Sequence, residues 1–228
     1  MTLTSYELTD GIATIAMDDG KVNALSSEML AAVRAELDRA ETEEAEVVIL
    51  TGARSTFSAG FDLRTEAEGW PAMLVAGAGL AERLLSFPRP VVAACNGNAL
   101  AMGGFLLLSA DYRVGAGGDF KIGLNEVRIG LTMPWFGIEI ARHRLTRPYF
   151  DRCTVSGTVL APEEAQRAGF LDDLVAEEGV MEAARAAAGG LKEVKSEAHQ
   201  ATKIRVRAEA LAGIRDGIER IQSDDREW

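Results

Sequence analysis

At 228 residues the chain is long enough for one domain with a full apolar core. A formal charge of −11 excludes the basic surface that nucleic acid requires, though a few local donors still suit a small phosphorylated ligand. Two cysteines, Cys95 and Cys153, and two histidines, His143 and His199, stand at no ligand spacing and exclude a disulfide framework and a zinc site.

The cysteines read as small buried hydrophobes in a reducing compartment. The N-terminus has no basic-then-apolar signal, and the longest apolar stretch, Ala99 to Leu108, is too short for a bilayer. A cytoplasmic enzyme with no membrane partner is the expectation.

Asp10-Gly11 between Ser5–Leu8 and Ile12–Met17 predicts a hairpin with a primed turn. Ser26 or Ser27 caps a helix whose Met29, Leu30, Val33 and Leu37 recur at helical spacing. Val47 to Leu50 reads as a buried strand ended by Thr51-Gly52. The pattern repeats: a helix from Leu74 to Phe87, then Pro90 opening the strand Val91–Cys95, which ends at Asn96-Gly97. A helix from about Gly103 to Ala110 and a strand at Tyr112–Val114 follow. Strands apolar on both faces alternating with helices predict an α/β fold with a parallel sheet covered on both sides. Pro134–Leu145, Arg147–Val155 and the run from Pro162 read as helices, with a short strand at Leu174-Val175. From Val180 the chain is helical with a break or bend at Gly189-Gly190. That tail is either an interface element or a set of helices packed on its own domain. The polar end, Ser223 to Trp228, is expected to fray.

Three segments carry candidate chemistry. Phe57-Ser58-Ala59-Gly60-Phe61-Asp62-Leu63 and Asn96 to Gly104 each follow a buried strand, and the second also opens a helix. Their glycines allow close backbone approach, and two converging loops with unpaired N–H groups form a site for a developing oxyanion. The third segment, Ile122 to Gly130, supplies one carboxylate, Glu126. Taken singly, each piece also reads as an ordinary turn or tight packing.

Together they resemble the crotonase (enoyl-CoA hydratase/isomerase) family from the first hairpin to about Leu174. The resemblance rests on Val22-Asn23-Ala24-Leu25, Phe57–Leu63, Asn96-Gly97 with Gly103-Gly104, Asp111-Tyr112-Arg113, and Gly123-Leu124-Asn125-Glu126 with Gly130. Pro162–Ala165 and Gly169–Asp172 add to it. It implies a spiral of ββα repeats over residues 1–179 and a helical region over 180–228 that drives assembly into trimers or hexamers. It implies an acyl-CoA thioester substrate and no cofactor beyond the coenzyme A that the substrate carries. By position, the oxyanion donors would be the N–H groups of Phe61 and Met102, with Gly103 as the alternative second donor. Met102 departs from the family's glycine, which bears on local conformation and not on the presence of a backbone donor. Coenzyme A would be held along Val22, Ala24, Leu25, Ala59, Phe61, Asp62 and Leu63, with Lys21 and Arg64 as phosphate partners or merely solvated charges.

Hydratases of this family use two glutamates. The first would fall at Phe105, which transfers no proton, and the second falls at Glu126. One carboxylate suits migration of a double bond from the 3- to the 2-position, and Pro134-Trp135-Phe136 downstream resembles the Δ3,Δ2-enoyl-CoA isomerase branch. Apolar neighbours Ile122, Val127 and Trp135 are expected to raise the Glu126 pKa by desolvation. Hydration with another carboxylate such as Glu139, a different reaction of the family, and acyl-CoA binding without turnover are the alternatives.

Overall fold

A computed structural model describes residues 2–223; apart from Ser223, the segment expected to fray lies outside the described residues. β1 (Thr4–Thr9) and β2 (Ile12–Met17) form the expected hairpin, with Asp10 at φ 52° and Gly11 at φ 75°, the two positive values of a type I′ turn. β3 (Ala24–Leu25) leads into α1 (Ser27–Thr42), where Ser26 Oγ accepts the Met29 N–H. β4 (Val47–Gly52), β5 (Thr56–Ser58) and β6 (Gly60–Phe61) precede α2 (Trp70–Ser86). α2 starts one turn earlier than the apolar periodicity predicts, because Pro71 at its start presets the helical φ.

β7 (Val91–Cys95), β8 (Asn98–Leu100) and α3 (Met102–Ser109) form the next unit, followed by β9 (Tyr112–Ala116) and β10 (Ile122–Gly123). α4 (Trp135–Arg144), α5 (Arg147–Thr154), β11 (Val159–Leu160), α6 (Pro162–Ala168) and β12 (Asp173–Val175) complete the central part. Three helices end the described chain: α7 (Val180–Leu191), α8 (Ser196–Val206) and α9 (Ala208–Gln222). The bend expected at Gly189-Gly190 does not occur, since both lie inside α7 and the interruption falls at 192–195. Val180, Ala184 and Ala188 recur at i, i+4 and i+8 and bury one stripe, which keeps the helix continuous through the glycines.

Successive units place one strand in each of two sheets. The six-stranded sheet runs β1-β2-β4-β7-β9-β12, and the four-stranded sheet runs β11-β10-β8-β5. Within both, neighbours are parallel except for the β1/β2 and β10/β11 pairs. The repeats β4-β5, β7-β8 and β9-β10 therefore climb as a spiral of ββα units. Because side chains alternate along a strand, β4 and β7 feed two cores. Val48, Leu50, Val91, Ala93 and Cys95 meet α1 to α3, while Val47, Ile49, Val92 and Ala94 lie under α7. Among the described residues no helix is long and apolar enough to cross a membrane.

A buried ionic cluster fastens the last helices to this core. The Asp111 carboxylate accepts from Val91 N–H at 2.7 Å, Lys203 Nζ at 2.7 Å and Arg207 at 2.7 Å. Arg207 also donates to Leu85 O at 2.8 Å, so α8 and α9 are tied to the end of α2 and the start of β7. α9 then lies against α4, where a Cβ at Gly217 would stand 2.8 Å from Phe136 N.

Candidate active site

The site forms where β6, the start of α3 and the loop after β10 meet. Asn23, buried at φ 54°, donates from Nδ2 to Thr56 O at 2.8 Å and to Ala53 O at 3.2 Å, which holds the 19–25 loop on the 53–57 segment. Buried Ser58 donates to Asn23 O at 2.8 Å, and its Oγ accepts Gly60 N–H at 3.1 Å. Gly60 takes φ 95°, which interrupts the strand's alternation. As a result Ala59 N–H and Asp62 N–H both donate to the β3 side, to Val22 O at 3.0 Å and Leu25 O at 3.3 Å. The Phe61 N–H, next to Asp62 in an extended strand, is then directed away from β3.

The start of α3 comes to the same place. A Cβ at Gly60 would be 2.8 Å from Ala101 Cβ and 3.3 Å from Met102 N, so only glycine admits this approach. Ala101 sits at φ 49°, ψ −123° and its N–H donates to Gly123 O at 3.0 Å. Its carbonyl accepts Phe105 N–H, leaving the Met102 N–H as the first of the helix's unpaired donors. Gly103 is pressed on Ser58, whose carbonyl oxygen a Cβ would meet at 2.5 Å, so its missing side chain serves close packing. Gly104 plays the same part toward β10, where a Cβ would lie 3.0 Å from Gly123 O.

Glu126 follows β10 and begins the turn Val127–Ile129. Its carbonyl accepts the N–H groups of Ile129 and Leu131, both at 3.0 Å, and Gly130 at φ 84° closes the turn. Glu126 is only 5 % exposed, and its buried Oε2 meets no hydrogen-bond partner among the described residues. Burial pushes its pKa up to about 7, opposed by a bond from its own backbone N–H. It faces a cavity of about 270 Å³ lined also by Phe61, Trp70, Leu74, Leu131 and Pro134. Phe61 and Trp70 meet edge to face, 6.2 Å between centroids. These residues wall the open side of the carboxylate. Of those expected from the sequence, Val127 and Trp135 are each 42 % exposed and line no part of this cavity. Pro134 belongs to the Pro134-Trp135-Phe136 run, whereas Trp70, Leu74 and Leu131 carry no motif.

No other carboxylate among the described residues lines the cavity. Phe105 is fully buried, edge to face with Phe136 at 5.7 Å, in solid core. Glu139 does not replace the absent acid: it pairs with Arg142 at 3.5 Å and faces α9, where a Cβ at Gly213 would lie 2.6 Å from its Cγ. Among the described residues no group of three His, Cys, Asp or Glu side chains could hold a metal ion.

The residues read as coenzyme A contacts separate into two sets. Val22, 47 % exposed, and Leu63, 61 % exposed, flank the half-buried Ala24 and Asp62 and the exposed Lys21 and Ala59 along paired β3 and β6. Leu25 is a correction: its side chain is fully buried in the core and its carbonyl is taken by Asp62 N–H, so it offers a ligand nothing. Arg64 forks onto the Asp62 carboxylate at 2.8 and 2.7 Å, which holds that carboxyl below its usual range despite opposition from desolvation.

A family model described as enoyl-CoA hydratase/isomerase matches residues 7–220. The chain is 32 % identical over 205 residues to the human mitochondrial enoyl-CoA delta isomerase 1, covering 86 % of this chain and 68 % of that protein. Its fold superimposes on the ligand-free enoyl-CoA isomerase of Mycobacterium tuberculosis with a TM-score of 0.95 at 43 % identity, covering 98 % and 99 % of the two chains. An enoyl-CoA hydratase of Mycobacterium marinum gives a TM-score of 0.94 at 40 % identity, covering 97 % and 99 %.

Proposed function

The chain belongs to the enoyl-CoA hydratase/isomerase family and is an enzyme of it, and we propose that its reaction is the shift of a 3-enoyl-CoA double bond to the 2-position. The observation that carries this reading is the cavity's single carboxylate, Glu126, with Phe105 closing the place of a second. The ionised Glu126 takes a proton from C2 of the acyl chain. The C–H electron pair moves into the C1–C2 bond, and the charge spreads over a dienolate whose oxygen lies between Phe61 N–H and Met102 N–H. Glu126 returns the proton to C4, leaving the double bond between C2 and C3. No water and no second acid enter the balance. A removed hole donor typically costs about 10²–10³-fold in rate, and a positioned general base contributes roughly 10²–10⁴-fold. A base with pKa about 7 is well matched to a weakly acidic C–H at neutral pH.

Coenzyme A lies along Lys21, Val22, Ala24, Ala59, Asp62 and Leu63 in this reading, which accounts for the exposed apolar surface of Val22 and Leu63 beside the cavity. Assembly as a trimer, or a hexamer built from two, belongs to the same reading, supported by exposed Val127, Leu131 and Val155, which line one groove. The test is incubation of the purified protein with 3-enoyl-CoA and, separately, with 2-enoyl-CoA. Isomerisation that disappears in Glu126→Gln is the expected result. Water addition to 2-enoyl-CoA without isomerisation would establish a hydratase, and tight thioester binding without turnover would establish a binding protein.

A further inference from the structure

α2 presents Trp70, Leu74 and Gly77 at i, i+4 and i+7, so all three share the face turned to the cavity and β6. A glycine inside a helix lowers its stability relative to alanine and asks for a packing reason. At Gly77 a Cβ would stand 2.5 Å from Cζ and 2.6 Å from Cε1 of Phe61, and 3.3 Å from Sδ of Met102. Any side chain there must displace the ring. Gly79, in the same helix, is the contrast: its Cβ would meet nothing nearer than Arg34 at 3.7 Å.

The geometry points to Gly77 as a positioning residue, whose missing side chain seats the Phe61 ring and the Met102 thioether together and so sets the directions of their backbone N–H groups. The inference rests on the proposed function, in which those two N–H groups hold the enolate. Neither donor has a long ladder of its own to orient it. β6 is two residues long, and α3 starts at Met102 directly after Ala101 in a positive-φ conformation. The side chains therefore act as the anchors: Phe61 is held between Gly77 and the edge-on Trp70, and Met102 shares the Gly77 seat. This also explains how a methionine is accommodated at the start of α3, since its sulfur needs the space that Gly77 leaves.

The test compares wild type with Gly77→Ala, Gly79→Ala, Phe61→Leu and the Phe61→Leu/Gly77→Ala pair in the 3-enoyl-CoA assay. Gly77→Ala is expected to lower kcat by about 10- to 100-fold, with KM within about threefold, because a misplacement near 1 Å costs on that order. Gly79→Ala leaves kcat unchanged. Leucine lacks the Cζ and Cε1 atoms that an alanine at 77 would strike, so the pair should match Phe61→Leu alone in kcat. Wild-type kcat in Gly77→Ala overturns the inference, as does a pair about tenfold slower than Phe61→Leu. If Gly77→Ala does not fold, the pair, which has the room, decides against Phe61→Leu. A wild type that isomerises no 3-enoyl thioester refutes the proposed function and not the seat. Trp70 emission then decides the seat, with Trp135 and Trp228 replaced by Phe: a shift on Gly77→Ala supports a displaced Phe61 ring, and unchanged emission overturns it.

Discussion

Glu126→Gln should abolish isomerisation and, at the same time, stabilise the fold at neutral pH. The buried carboxyl has a pKa of about 7 against 4.5 for its ordinary value, so the native state holds its proton where the unfolded chain has released it. Between those two values the native state binds more protons than the unfolded state, and stability falls as pH rises. Below pH 4.5 both states are protonated and the penalty vanishes; above pH 7 it is complete and level. A difference of about 2.5 units corresponds to about 3 kcal/mol at most. Glutamine never ionises and escapes that penalty. Its buried amide, at a position where Oε2 has no partner among the described residues, returns on the order of 1 kcal/mol. The expected net effect is a gain of about 2 kcal/mol at pH 8, roughly 4–8 °C in melting temperature, and a loss of about 1 kcal/mol at pH 4, where only the amide term remains. Urea melts of both proteins from pH 4 to pH 8 measure it. A difference that does not grow with pH, or a variant less stable at pH 8, refutes the claim that the carboxylate is strained by desolvation. The wild-type kcat/KM should rise with pH through about 7, as the base is freed of its proton.

Asp111→Ala removes the only carboxylate bonded to buried Lys203 and Arg207 among the described residues, and should cost about 3–5 kcal/mol, because two desolvated cations are left. Urea denaturation measures the loss, with faster amide exchange in α8 and α9; a loss under about 1 kcal/mol would show that the helices are held by packing alone. Ala101→Gly should stabilise by about 1 kcal/mol, since φ 49°, ψ −123° strains an L-residue and not glycine, and calorimetry at the melting midpoint reads it. A lower melting temperature would mean that the Ala101 methyl against Gly60 outweighs the backbone term.

Much of the fold was legible because local chemistry and periodicity agreed. Asp10-Gly11, Ser26 and the apolar runs at 47–50 and 91–95 each have one structural solution, and each took it. The helix ends were less legible where tertiary packing outweighed propensity. Gly189-Gly190 stayed helical because a buried stripe on the same helix fixes it, and no local signal encodes that stripe's partner strands. The site divided in the same way. Glu126, the two glycine-bearing loops and Pro134 stand out in motifs, whereas the rest of the cavity's wall comes from Trp70, Leu74 and Leu131, ordinary residues brought together only by the fold. Leu25 shows the opposite error: the resemblance placed it with Val22 and Ala24 on the ligand side, while strand alternation turns it inward.

The restriction to one acid follows from packing as much as from the residue at position 105. Phe105 lies edge-on to Phe136, and its ring would stand 2.4 Å from a Cβ at Gly137, so α3 and α4 meet through an aromatic pair seated on a glycine. α4 is held in turn by α9, where Gly213 and Gly217 allow the helices to touch. A carboxylate at 105 would therefore face desolvated core, and the helix bearing Phe136 has no room to retreat. Around Glu126 the cavity is walled by Phe61, Trp70, Leu74, Leu131 and Pro134, and its burial raises the carboxyl's pKa toward neutrality. Packing thus keeps a carboxylate out of position 105 while burial tunes the one at 126, and a site with one proton carrier favours a reaction whose proton leaves and returns by the same group.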